Sequence, residues 1–235
     1  MSDNNKPREN LLLSLAFNIA APALTLSKLS AHDRLGPVVA LIVALAFPLG
    51  YFVYDYIRRR EANFISIIGF VGVLLTGGLG LLKADNFWFA VKEASIPTLI
   101  GASILLTLKS KKSLMRTLFF NDQLIDVERV NTALDANNKR DDFEQLLTRA
   151  GLWAGASFAI SAVLNYALAR IILKSPSGTP EFNEELATMQ WLSWPVIALP
   201  STLILMIALW RLFSGLTKLS GLELEDILRK KNAKK

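Results

Sequence analysis

The sequence predicts an all-α membrane protein with about six transmembrane helices, a short interfacial helix and a helical cytoplasmic loop. Three observations predict it. Two long apolar runs, 35–57 and 62–82, are divided by Arg58-Arg59-Arg60. A helix of a soluble core is apolar on one face only, whereas a bilayer span needs about 20 mostly apolar residues. The chain is 52% hydrophobic and 20% charged, yet its charges crowd into a few segments and leave long stretches empty. The arginine cluster itself acts as a topological pin, because such clusters are held on the cytoplasmic side of a membrane.

Composition excludes several classes. The 235 residues contain no cysteine, which rules out disulfides, thiolate metal sites and cysteine nucleophiles, and His32 is the only histidine. No metal or cofactor is expected. The net charge of +6 sits beside apolar spans. It therefore points to cytoplasmic-facing loops and not to nucleic acid.

The first span is expected at 11–27, behind Lys6 and Arg8. It has the look of a signal peptide, with Ala20-Ala21-Pro22-Ala23 near a cleavage site, but the further spans favour an uncleaved one. Asn18 within it either bonds to a neighbouring helix or lines a cavity, and Pro22 is placed to kink it. The second span, 36–57, opens on Gly36-Pro37, contains Pro48, and ends in Tyr51, Tyr54 and Tyr56, whose rings suit an interface. Asp55 lies within a turn of Arg58 and Arg59, close enough for an ion pair. The alternative is a buried functional carboxylate. The third span, 62–82, carries Gly69 and Gly72 and then Thr76-Gly77-Gly78-Leu79-Gly80. No lysine-serine or lysine-threonine pair follows in the spacing of a phosphate loop, so the glycines read as a packing face or a loosened helix end.

Asp85-Asn86 suits a turn or N-cap, and 85–93 reads as an interfacial segment rich in aromatics. Pro97 is expected to break it from a fourth span at 94–108, short for a crossing. Either the interfacial turn supplies the missing length or the helix is re-entrant. Residues 110–148 read as an amphipathic helical loop on the anionic cytoplasmic leaflet, opened by Lys109, Lys111 and Lys112 and broken near Asn137-Asn138. That loop is either a solvated element or a docking surface for a protein partner. The fifth span, 150–173, has the small-residue pair Gly151 and Gly155, with Ser157 and Ser161 beyond, and Asn165 inside. An outer loop with a short helix follows. The sixth span, 191–210, begins at Trp191 and Trp194, and 219–235 is a basic tail with Ile227 and Leu228 among its charges. The organisation expected is thus a four-span half at 1–109, the loop, a two-span half at 149–218, and the tail.

With both termini cytoplasmic, twenty of the 26 lysines and arginines fall on the cytoplasmic side, which favours that orientation.

The order of several features has a likeness elsewhere. Asn18 to Pro22 lie in span one, Leu35-Gly36-Pro37 opens span two, and Pro48 lies inside it. Arg58-Arg59-Arg60, Thr76-Gly77-Gly78, Phe87 to Phe89 and Leu108-Lys109-Ser110-Lys111-Lys112 follow in turn. Over residues 11–120 this resembles the intracellular septation protein A family of bacterial inner-membrane proteins. The resemblance implies an inner-membrane location and a link to envelope upkeep or division, and it supplies no catalytic residue. The chain departs from that family in the separation of Lys92 from Pro97, in its long loop and in its last two spans.

Two functions compete. A structural or scaffold protein would use 110–148 and the tail to hold partners or anionic lipid. A small-solute or lipid transporter would use proline-broken helices to form a midplane site, with Asn18, Thr76 and Asn165 lining it. No convergent set of polar groups supports an enzyme.

Overall fold

The structure, a computed structural model, describes Leu13 and residues 16–59, 64–110, 113–122 and 124–228; the side chains of residues 55, 58, 59 and 64–70 lie outside that description. Arg60, Lys111 and Lys112, and the side chains of Arg58 and Arg59, are therefore outside it, as is any pairing of Asp55. Lys109 is exposed at the end of its helix.

About 83% of the described residues are helical. Among the described residues the only β pairing is an isolated bridge between Ile125 and Leu228. The all-α expectation holds, but the count of six spans does not. Among the described residues, four stretches are long and apolar enough to cross a membrane: Gly36–Tyr54, Asn86–Thr107, Arg140–Ile172 and Pro180–Ser220.

The difference lies in identifiable places. The first expected span is a π-helical turn, Ala16–Ala20, leading into α1 (Ala21–Leu29), with Pro22 at its start. The rest of the expected span, residues 11, 12, 14 and 15, lies outside the described residues. α2 (Gly36–Arg59) runs unbroken through Pro48. α3 (Phe64–Leu81) has 18 residues, of which the described apolar part is Val71–Leu81. α4 (Asn86–Thr107) is one helix of 22 residues with Pro97 inside it. This corrects both the separate interfacial segment at 85–93 and the short span at 94–108. Asp85 starts the helix by accepting the Phe87 N–H at 2.7 Å. Past that start, the apolar surroundings leave backbone groups no water to turn to, which keeps the helix intact through a proline.

α5 (Leu114–Phe119) and α6 (Val127–Ala136) follow, capped by Ser113 and Asp126. The chain breaks where expected: Asn138 takes a φ of 51°. The piece after the break is not a separate loop helix but the first turns of α7 (Arg140–Ile172), 33 residues long. α8 (Pro180–Ser193) is capped by Thr179. It passes through a π-helical stretch at Trp194–Ala198, around Pro195, into α9 (Leu199–Ser220). Gly221 ends α9 at a φ of 70°, returning its N–H to Thr217 O, a conformation glycine adopts freely. The last element is α10 (Leu224–Ile227).

The chain forms two compact units that interleave along the sequence. The first comprises Met1–Ile96 and Ala162–Ile197, the second Pro97–Ser161 and Ala198–Lys235. In the first, α1, α2 and α8 pack around Phe89 and Phe182, which meet edge to face at 4.9 Å. A Cβ on Gly77 would come within 2.6 Å of Leu45 Cδ1, and one on Gly80 within 2.5 Å of Leu41 Cδ2. Those glycines thus form the packing face expected of them. Asn183 donates to Ser30 Oγ and to Pro37 O, and Asn86 donates to Leu173 O and Ser175 O.

In the second unit, Gly151 and Gly155 face Leu108 and Leu105 at 2.5 Å from a notional Cβ, and Ser157 donates to Ser201 O at 2.7 Å. This is the stripe the sequence predicts. A second core joins Ile125, Val130, Leu134 and Phe143 to Leu216 and Ile227. Asn137 donates to Leu219 O and Ser220 O, Asp126 N–H to Ile227 O, and Arg129 pairs with Asp226 at 2.9 Å. The described start of the tail is therefore folded against α6, with Ile227 wholly buried.

Candidate functional site

The first unit contains a cavity of about 280 Å³ between α1, α2, α3, α4 and α8. Its floor is apolar, with Leu41, Ala44 and Leu186 among its lining, and Pro22 and Pro48 also face it. Its polar wall is made by Asn18, Thr76, Lys92, Glu93, Gln190 and Ser193. Two of the three residues expected to share a cavity, Asn18 and Thr76, do so. Asn165 does not; it is half-buried on α7 and is not among the lining residues.

Each polar group is held by a local cause. The π-helical turn at Ala16–Ala20 carries Asn18, and Gln190 of α8 donates to Asn18 O at 2.9 Å. Thr76 donates to Gly72 O at 2.9 Å, which leaves its oxygen able to accept. Lys92 Nζ donates to that oxygen at 2.8 Å and to Glu93 Oε1 at 2.6 Å. The side chains of Lys92 and Glu93 are 12% and 25% exposed. Neighbours one residue apart on a helix do not face each other, so this pair is no surface staple: both side chains bend toward the same hollow. Ser95 Oγ donates to Lys92 O at 2.7 Å. Gly72 lines the hollow with nothing within 4 Å of a notional Cβ, so it leaves room and does not mediate helix packing.

The sequence reading missed Lys92, Glu93 and Gln190 as cavity residues. In sequence both Lys92 and Glu93 fall in the segment 85–93 that reads as interfacial, ahead of Pro97. The available signal was an adjacent lysine and glutamate within seven residues of aromatic helix start. Chemically, the wall offers one cation, one anion, two amides and two hydroxyls over an apolar floor. Among the described residues no three histidine, aspartate or glutamate side chains are grouped to hold a metal ion.

Comparison with protein-family models, with curated proteins and with solved structures gives no match for this chain. The septation-family resemblance rests on its sequence motifs, and the site rests on its own geometry.

Proposed function

We propose that this is a multi-pass membrane protein that binds a small solute inside the first unit, as a transporter does. The observation that carries the reading is the Lys92–Glu93–Thr76 cluster, an ionisable pair on a helix apolar enough to span. Ionisable groups at such positions are expensive to keep and mark solute or ion paths by default. The pair has no net charge, so a net-charged solute would lose its hydration there without compensation. A neutral or zwitterionic solute with an apolar part fits. The volume falls just below the ~300–1,000 Å³ typical of drug-sized ligands, which favours a smaller molecule. The π-helical stretches at Ala16–Ala20 and Trp194–Ala198 support the reading, since such irregularities gather at functional sites.

The test is solute-induced thermal stabilisation and uptake in proteoliposomes, with a panel of neutral, zwitterionic and charged small solutes. The reading expects at least one neutral or zwitterionic solute to stabilise the protein and to move, and Thr76→Val to weaken both. If no solute does either, it is lost.

A second reading is a scaffold in envelope upkeep or division that holds partners through 110–148. It is favoured by the core joining α6, the start of α7, α9 and α10, which gives that segment a fixed surface. Deleting residues 120–136 would then remove co-purifying partners without abolishing solute binding. The proposed location is the bacterial inner membrane with both termini cytoplasmic, supported by the lysine and arginine distribution.

A further inference from the structure

We infer that a groove between α7 and α9 in the second unit binds the headgroup of an anionic phospholipid. Leu146, Arg149, Trp153, Trp210, Arg211 and Lys218 line about 520 Å³ there, and no carboxylate is among its lining residues. The sequence explains the position. α7 carries no charge from Ala150 to Ala169, and α9 none from Leu199 to Trp210. Arg149 and Arg211 are the first charges past these apolar stretches, where a helix leaves hydrocarbon for headgroups. Trp153 and Trp210, 46% and 68% exposed, are the side chains that favour that depth.

Geometry then gathers the charges. Arg211, Ser214 and Lys218 lie on one face of α9, and Arg149 and Trp153 on one face of α7, by their helical spacing. Gly215 lets the helices close: a Cβ there would stand 2.6 Å from Leu146 Cδ2. The Arg211 guanidinium lies 5.5 Å from the Trp153 ring centre, spanning the groove.

Among the described residues these charges also lack the carboxylate partners that their neighbours have. Nearby cations of the same unit are paired: Arg116 with Glu144, Arg129 with Asp226, Lys139 with Asp142 and Arg140 with Asp135. Among the described residues, no ion pair holds Arg149, Arg211 or Lys218. Three such cations around one hollow repel one another, and an anion relieves that. A phosphate esterified to acyl chains fits better than a free one. It would fill the cationic rim while its chains cover the exposed apolar surface beside it, such as Leu152 and Ile207, 49% and 48% exposed. The inference rests on these helices lying in a bilayer and is independent of the solute cavity.

The experiment is native mass spectrometry of the full chain released from nanodiscs of phosphatidylcholine doped with phosphatidylglycerol. Wild type should retain phosphatidylglycerol in preference to phosphatidylcholine. R149Q/R211Q/K218Q should lose that preference, by roughly fivefold for each cation removed. R149K/R211K should keep most of it, and W153L should reduce it with every charge still present. Should the triple variant fail to fold, the single glutamine variants carry the same test. Unchanged preference in the variants overturns the proposal. So does competition by soluble glycerol phosphate at the concentration of the lipid, which would assign the groove to a free phosphate. Failure of the membrane reading is separately visible, as chain recovered from cells in solution without detergent.

Discussion

Lys92 holds two acceptors at once, Thr76 Oγ1 and Glu93 Oε1, and is only 12% exposed. Removing it strands a largely buried carboxylate. Leaving such a group without its partner costs about 1–3 kcal/mol or more. Lys92→Met should therefore destabilise by about that amount, and adding Glu93→Gln should recover part of it. A thermal-melt double-mutant cycle in detergent measures the coupling; strict additivity would mean the two side chains do not interact. Thr76 gives a finer test because its hydroxyl both accepts from Lys92 and donates to Gly72 O. Thr76→Val removes both roles at nearly constant volume and should cost about 1 kcal/mol, with weakened solute binding, whereas Thr76→Ser should restore both. Packing is equally specific at Gly155, where a Cβ would lie 2.5 Å and 2.7 Å from Leu105 Cδ2 and Cγ. Gly155→Leu should cost about 1–3 kcal/mol by overpacking, read as a lowered Tm of the purified protein.

At the scale of elements, what was legible depended on whether the deciding physics is local. The small-residue stripe of Gly151, Gly155 and Ser157, the Asn137-Asn138 break and the Asp85 helix start are set by side-chain size and backbone preference within a turn or two, and the sequence shows them. The continuity of α4 through Pro97 is not local. In water a proline inside a helix costs about 3 kcal/mol, and that rule placed a break where lipid removes the alternative. The error carried into the site. With 85–93 as a separate interfacial piece, Lys92 and Glu93 lack the register that the continuous helix gives them toward Thr76. The tail misled for a similar reason. The sequence shows Ile227 and Leu228 only as apolar residues among the tail's charges, whereas Ile227 is buried against α6, a contact between residues far apart in sequence. Ile227→Ala should cost about 2–4 kcal/mol of local stability. Hydrogen exchange should then rise in α6 and α10 and leave α2 unchanged; an unaltered pattern in α6 would mean the tail does not hold it.

For the whole molecule the governing fact is apolar surface left uncovered. Leu106 is 86% exposed, Val163 67% and Leu199 61%, all on helices apolar enough to span. Water-soluble monomers rarely leave contiguous apolar patches beyond a few hundred Å², so lipid is the natural cover. Sidedness can then be tested without settling how many helices cross. The hydrogen bonds of Asn183 and Asn86 tie the connections near residues 30–37, 86 and 173–175 together within the first unit. Those of Asn137 and Asp126 tie residues 126 and 137 to 219–227 within the second. Positions so bonded must share one face of any membrane. Because the chain has no cysteine, single cysteines report cleanly. On the proposed inner-membrane orientation, Ala31→Cys and Pro176→Cys should react together with an impermeant maleimide from the periplasm. Thr132→Cys and Glu223→Cys should react together only once the inner membrane is opened. Mixed labelling within either pair would break the hydrogen-bonded grouping itself. Reversal of both pairs would leave the fold intact and overturn only the orientation drawn from the lysines and arginines.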